Sequence, residues 1–228
     1  MLQIIGLLTI SWLLIWFFEK GNLAFLGLIP TKTQFKYAVV LFFVTAFISA
    51  ATFGLRSYFL QEVYILSPSN TAQGVLLNSW YQFRSVLTEE LLFRGVLLYI
   101  LIKKIGSTKG ILISSVLFAL MHWINPGVWG NIPQMATVFI YTFAMGLLLA
   151  FAYAKTFSLL APFAIHFGWN LTQNYIFPEN LSGNHLFILA EQPMVTISYI
   201  IFFALFILPK LTVLIINYLI IKHYACKA

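Results

Sequence analysis

The chain has 228 residues, of which 61% are hydrophobic, 18% are aromatic and only 8% are charged. This balance excludes a water-soluble globular protein and leaves room for about seven spans of roughly 20 residues, without a sizeable soluble domain. The net charge of +7 is typical of lysines that cluster on one side of a membrane, and it does not indicate binding to nucleic acid. Cys226 is the single cysteine, which excludes a disulfide within the chain.

Apolar runs separated by charged or Pro/Gly-rich connections predict the membrane segments in chain order. We expect an all-α protein, a polytopic transmembrane helix bundle of seven or eight spans, forming a single domain over residues 1–228. Pro209 and Lys210 in the last run predict a kink or a second short segment, which leaves both counts open. The predicted segments are, approximately, Leu2–Phe18, Tyr37–Ala51 or beyond, Arg84–Ile102, Gly110–Trp123, Pro133–Ala154, Phe157–Ile176 and Val195–Ile221.

Lysines in alternate connections predict the orientation, because short loops rich in Lys and Arg stay in the cytoplasm. This rule places the N-terminus outside and the C-terminus in the cytoplasm. The small size of the chain and the lack of a targeting extension predict a multi-pass protein of a bacterial plasma membrane. The lysines that set the orientation are Lys20, Lys32, Lys36, Lys103, Lys104, Lys109, Lys155, Lys222 and Lys227.

The segment "SVLTEELLFRGVLLYILIKK" places two acids and a base inside a predicted span. The chain has no Asp and six Glu, and only Glu89 and Glu90 fall in a predicted span. On a helix Glu90 and Arg94 are i and i+4 and pair well, whereas Glu89 is rotated by about a third of a turn. A charged residue at a helix centre costs about 3 kcal/mol and indicates function by default. An ion pair that only packs two helices is the alternative.

Two further polar motifs lie in later spans at a similar depth. In "FALMHWINP" Phe118 and His122 are one helical turn apart, and in "APFAIHFGWN" His166 and Asn170 project from one face. At about 1.5 Å per residue, Glu89 lies about 21 Å, His122 about 20 Å and His166 about 16 Å above the nearest cytoplasmic lysine. Taken singly, the His and Asn residues could equally cap a helix or bond to a neighbouring helix. Taken together, they predict one polar pocket.

The order Glu-Glu-x-x-x-Arg, Phe-x-x-x-His, His-x-x-x-Asn resembles the CAAX prenyl endopeptidase and bacteriocin-processing (CPBP, Abi) family of intramembrane proteases. All three motifs are intact, and the resemblance covers about residues 85–174, the motif-bearing core. It implies that Glu89 and His122 activate a water molecule, while His166 and Asn170 stabilise the tetrahedral intermediate. The implied partners are membrane lipid and a peptide or protein substrate that enters from the membrane.

The cofactor is not decided by the sequence. A catalytic set of Glu89, Glu90, Arg94, His122, His166 and Asn170 can work without a metal, and we slightly favour that interpretation. Glu89, His122 and His166 would also suit a zinc ion with a fourth position open for water. The zinc helix motif His-Glu-x-x-His is absent from the sequence.

Other functional classes remain as alternatives to a protease. A non-catalytic membrane immunity or partner-binding protein would need the same helices but no reactive carboxylate. A proton-coupled transporter is disfavoured because the chain shows neither repeated halves nor a matched pair of broken spans. A rhomboid serine protease is disfavoured because no Gly-x-Ser motif occurs.

Overall fold

The computed structural model describes residues 2–177, 185–191 and 195–225, and Cys226 lies outside them. The described chain is all-α apart from one sheet of two strands, so the predicted class is confirmed. Its long helices are α1 (Leu2–Glu19), α2 (Lys32–Leu60), α3 (Ala72–Glu90), α4 (Leu98–Ile105), α5 (Ser107–Met121), α6 (Ile132–Thr156), α7 (Leu160–Leu171) and α8 (Tyr199–Ala225). The strands are β1 (Val63–Leu66) and β2 (Phe187–Glu191).

Four described helical stretches are long and apolar enough to cross a membrane. They are Lys32–Leu60, Ser107–Ile124, Ile132–Thr156 and Tyr199–His223, and Ile4–Glu19 is a shorter apolar helix. The chain is an integral membrane protein. The predicted count of seven or eight spans is not confirmed, and the bacterial plasma membrane remains a prediction.

Several predicted segments have other bounds in the structure, and the largest differences concern α3 and α8. Helix α3 begins at Ala72, about three turns before the predicted start at Arg84, and its early turns mix polar residues such as Gln73 and Asn78 with apolar ones. Helix α8 runs through Pro209 as one helix, and a second short segment after this residue is not observed. The side chain of Lys210 bonds to the Phe206 carbonyl at 3.3 Å and that of Thr212 to the Leu208 carbonyl at 2.8 Å. Both bonds lie within one turn of Pro209, whose missing N–H would otherwise bond to the Leu205 carbonyl.

The contacts divide the chain into two compact units. Unit 1 comprises Met1–Ala38, Leu87–Phe163 and Tyr218–Ala228, and unit 2 comprises Val39–Val86 and Ala164–Asn217. The core of unit 1 is a cluster of buried aliphatic residues that includes Leu26, Leu98 and Leu159, together with Tyr153. The prediction of a single domain remains untested.

The sheet in unit 2 was not predicted from the sequence. Strand β1 pairs antiparallel with β2, with Tyr64 opposite Leu189 and Leu66 opposite Phe187. An aromatic stack holds the sheet to neighbouring segments, because the Phe177 ring lies 4.8 Å from Phe53 and 4.9 Å from Phe187. Strands of four and five residues are marginal alone in water and depend on such packing.

An ion pair fixes the turn that leads from α2 into β1. Arg56 donates two hydrogen bonds of 2.8 Å to the Glu62 carboxylate, and the Tyr64 hydroxyl donates a third of 2.6 Å. Burial alone would raise the pKa of Glu62, but the hydrogen bonds from Arg56 and Tyr64 and the charge of Arg56 outweigh it. The pKa of Glu62 therefore lies below its ordinary value of 4.5.

This lowered pKa predicts a loss of stability in acid. A carboxyl group whose folded pKa is depressed stabilises the fold above its unfolded pKa, and this contribution disappears as the pH falls through the folded pKa. We expect the free energy of unfolding to fall below pH 4.5, and to fall less steeply in Glu62→Gln. Unfolding curves of both proteins in detergent over a pH series measure this difference. Parallel pH profiles of the two proteins would contradict it.

Candidate active site

The acidic motif lies where α3 passes into a π-helical segment, Leu91–Leu97. The Arg94 guanidinium donates from Nη1 to Oε1 of Glu90 at 3.0 Å, and both side chains are 0% exposed. The sequence predicted this pair on an α-helix, and the pair forms although the turn that holds it is wider. Glu89 is half-buried beside it. Wide turns of this kind are rare and are frequent at functional sites.

A hydroxyl group from α5 accompanies the irregular backbone of this segment. Gly95 departs from helical geometry with φ −74° and ψ −124°. The Ser114 hydroxyl donates to the Phe93 carbonyl at 3.0 Å. A side chain that inserts into the helical hydrogen-bond ladder is a known cause of irregular turns. The π-helical segment is therefore hydrogen-bonded to another helix of unit 1, α5.

The guanidinium of Arg94 lies on an aromatic ring. Its Cζ atom is 4.0 Å from the ring centroid of Phe118. Within the described residues, Nε and Nη2 of Arg94 make no hydrogen bond. A desolvated cation over an aromatic face is worth about 2 kcal/mol. Phe118 of the second motif thus helps to fix the position of Arg94 in the first motif.

His122 lies at the end of α5, where the helix tightens into the 3₁₀ turn His122–Ile124. Asn125 is extended ahead of Pro126, as a residue before proline usually is. In the tighter turn the backbone N–H of His122 bonds to the carbonyls of Ala119 and Leu120. The Phe118 carbonyl instead meets Nδ1 of His122 at 2.7 Å.

That contact assigns the tautomer of His122. A carbonyl oxygen only accepts hydrogen bonds, so Nδ1 carries the proton and donates it. In the neutral ring Nε2 then holds the lone pair and is the nitrogen suited to take a proton or bind a metal. The imidazole also contacts the Phe118 ring, with 4.5 Å between the ring centroids and 65° between the planes.

The third motif lies on α7 in unit 2. His166 is 5% exposed, Asn170 is half-buried, and both lie on α7 one turn apart. A second π-helical segment, Thr172–Ile176, follows this motif. The structure thus brings Glu90, Arg94, Phe118 and His122 together within unit 1. A pocket that joins Glu89 and His122 to His166 and Asn170 remains a prediction.

Residues 71–172 match the family model described as "Type II CAAX prenyl endopeptidase Rce1-like". This segment, which is less than half of the chain, is similar to an Rce1-like domain. The match confirms the resemblance drawn from the three motifs, and it includes every predicted site residue from Glu89 to Asn170. It supports a CAAX protease-like hydrolase in a membrane protein. No curated protein and no solved structure matches the chain.

Within the segment that matches the family model, Gly168 lies midway between His166 and Asn170 and lets α7 approach α2 closely. A Cβ at Gly168 would lie 2.8 Å from the Phe42 carbonyl oxygen and 3.4 Å from the Ala46 nitrogen. Both are backbone atoms, so a side chain here must displace a helix.

We therefore expect Gly168→Ala to lower the free energy of unfolding by about 1–3 kcal/mol, as overpacking does, and to impair any activity that needs His166 or Asn170. Gly54→Ala is the control, because nothing lies within 4 Å of a Cβ at Gly54 on α2. Unfolding measured in detergent compares the two variants. Equal free energies of unfolding for the two variants would contradict the close approach of α7 to α2 at Gly168.

Sequence reasoning missed a set of polar contacts in unit 2, partly outside the segment that matches the family model. The Asn217 amide donates to the Thr45 hydroxyl at 3.0 Å, and the Gln173 amide donates to the Ser49 hydroxyl at 2.8 Å. The signal was available, because Thr45 and Ser49 are i and i+4 in an apolar run and can face one neighbour. The second of these bonds ties the segment after Asn170 to α2.

Metal binding was the alternative left open by the sequence. Among the side chains that the structure describes, no group of three or more His, Cys, Asp or Glu is arranged to hold a metal ion. Glu89 and His122 lie in unit 1 and His166 lies in unit 2, so a zinc site formed by these three residues stays an open alternative.

Proposed function

We propose that the protein is an intramembrane endopeptidase that hydrolyses a peptide bond of a membrane-associated or lipidated substrate. The observation that carries the proposal is the fully buried Glu90–Arg94 pair, adjacent to Glu89, in a segment that matches a CAAX-type endopeptidase family. Buried charge in a membrane helix has to be compensated and is seldom kept without a function. Proteolysis gives this charge a role.

In the proposed reaction Glu89 and His122 activate the attacking water. The Glu89 carboxylate takes a proton from the water as its oxygen attacks the carbonyl carbon of the peptide bond. Nε2 of His122, which holds a lone pair, receives this proton from Glu89 and gives it to the nitrogen of the leaving amine as the C–N bond breaks. The carboxylate and the imidazole return to their starting states when the products leave.

His166 and Asn170 would stabilise the oxyanion that forms during the attack. An imidazole N–H and a carboxamide N–H one helical turn apart can donate to the same oxygen. Each donor of this type is usually worth about 3 to 4 kcal/mol. Glu90 and Arg94 neutralise each other beside the site, which leaves Glu89 as the carboxylate assigned to proton transfer.

Comparative proteomics of membranes that contain the wild-type or the Glu89→Gln protein tests the proposal. We expect a set of cleaved peptides that depends on Glu89, and we expect a reporter peptide ending in a prenylated CAAX sequence to show whether lipid is recognised. An unchanged peptide set would favour an immunity or partner-binding protein. Loss of cleavage on chelation with recovery on added zinc would replace the metal-free mechanism with a zinc mechanism.

A further inference from the structure

We propose that Phe118 is a positioning residue, which holds the imidazole of His122 in the orientation and tautomer that the reaction needs. This inference rests on the proposed function for its consequence in catalysis. Its structural content, that Phe118 sets the state of His122, stands on contacts within unit 1. It also gives Arg94 and Gly146 a role, because the Arg94 guanidinium lies on the Phe118 ring and Gly146 leaves the room beside that ring which a side chain would fill.

The Phe118 ring packs against Arg94 and Phe93 and faces Gly146 on α6. The Arg94 guanidinium lies 4.0 Å from its centroid, and the Phe93 ring meets it edge-on at 5.3 Å. On α6, a Cβ at Gly146 would lie only 3.3 Å from Cδ1 of Phe118. Phe118 is 1% exposed, so its ring has little room to rotate.

His122 is held by Phe118 twice. The Phe118 carbonyl accepts the proton of Nδ1 at 2.7 Å, and the Phe118 ring contacts the imidazole at a centroid distance of 4.5 Å. One contact fixes which nitrogen is protonated, and the other limits how the ring can turn about its bonds. A backbone carbonyl alone would leave the imidazole able to swing, because a single hydrogen bond defines a distance better than a plane.

The helix end makes the double contact possible. In a regular α-helix the Phe118 carbonyl would accept the backbone N–H of His122. That N–H turns to Ala119 and Leu120 instead, so the carbonyl is available to the side chain of the same residue. The 3₁₀ turn before Pro126 and the ring of Phe118 therefore act together.

The test is ¹⁵N NMR of histidine-labelled, full-length protein in lipid nanodiscs at about pH 8, where an ordinary imidazole is neutral. His122→Gln assigns the His122 signals. In the wild type we expect Nδ1 to be protonated and Nε2 to carry the lone pair. In Phe118→Leu we expect averaged shifts of the two ring nitrogens, because the ring contact is gone and the imidazole samples both tautomers. Phe118→Tyr keeps an aromatic ring and should retain the wild-type pattern.

A second perturbation leaves Phe118 in place. A Cβ at Gly146 would lie 3.2 Å from Cα and Cβ of Ser115 and 3.3 Å from Cδ1 of Phe118, so Gly146→Ala presses on α5 and on the Phe118 ring and should also alter the His122 signals. Gly6→Ala is its control, because a Cβ at Gly6 has nothing within 4 Å. Tyr153→Leu is the control for Phe118→Leu, because Tyr153 is equally buried in unit 1 but belongs to the aliphatic cluster. If Phe118→Leu does not fold, Phe118→Met takes its place.

An unchanged His122 spectrum in both Phe118→Leu and Gly146→Ala would overturn the inference, whether or not a substrate is known. With the reporter peptide, we expect Phe118→Leu to lower kcat by about 100-fold with little change in KM, the usual cost of a misplaced catalytic group. Failure of the proposed function looks different, because cleavage would then be independent of Glu89 while the His122 spectrum still responds to Phe118.

Discussion

Glu89→Gln is expected to lower the rate of peptide cleavage by about 10²- to 10⁴-fold, which is the usual contribution of a positioned general base. The substitution keeps the size and polarity of the side chain but removes its ability to accept a proton at neutral pH. Glu89 is half-buried next to a pair whose members are 0% exposed.

The measurement is single-turnover cleavage of the reporter peptide by purified protein in lipid vesicles. Glu19→Gln, at the end of α1, is the matched control, and its rate should equal that of the wild type. Binding of the reporter, measured separately, should be similar for the Glu89→Gln and wild-type proteins. If the Glu89→Gln protein cleaved at the wild-type rate, Glu89 would not be the general base. The mechanism proposed for this protein would then be wrong, although the family match would stand.

Arg94→Met is expected to lower the free energy of unfolding by about 3–5 kcal/mol, because it leaves the Glu90 carboxylate buried without its cation. The same size of loss is expected for Glu90→Leu, which leaves a buried guanidinium. The double variant should lose less than the two single variants added together, since an apolar pair of similar volume often replaces a buried ion pair at little cost. This pattern distinguishes mutual pairing from two independent contributions.

Reversible unfolding in mixed micelles, analysed as a double-mutant cycle, measures the coupling between the two residues. Arg56→Met is a useful comparison, because the Arg56 side chain is 23% exposed in its pair with Glu62. Solvent screening should make its loss smaller than that of Arg94→Met. Additive losses at Glu90 and Arg94 would show that the pair is not a unit.

Much of the architecture could be predicted from the sequence. Backbone N–H and C=O groups in lipid must form hydrogen bonds within the protein, as they do in a helix. The apolar composition alone therefore predicted the all-α class. The Glu90–Arg94 pair followed from spacing, because i and i+4 side chains meet on any regular helix. The three motifs, taken in order, predicted the family that the match then confirmed.

The remaining features depend on contacts between distant residues, which periodicity does not contain. The wide turn after Glu90 is accompanied by the bond from Ser114 to Phe93, 21 residues away. The strands are short, and the Phe177 stack that supports them joins α2 to β2. Spacing alone placed His122 one turn from Phe118 but did not say which atoms meet. The tautomer of His122 follows from a change of helix type near Pro126.

The π-helical stretch after Glu90 has a consequence for comparing this protein with its relatives. Such a stretch amounts to one added residue, and one residue turns a helix by about 100°. In a relative with a regular helix here, the acidic motif would keep its position relative to the following helix only if that chain had one residue fewer before the position of Leu98. Alignments that forbid gaps inside membrane helices would then misplace every position from α4 onward, and the kinship of the two chains would be underestimated.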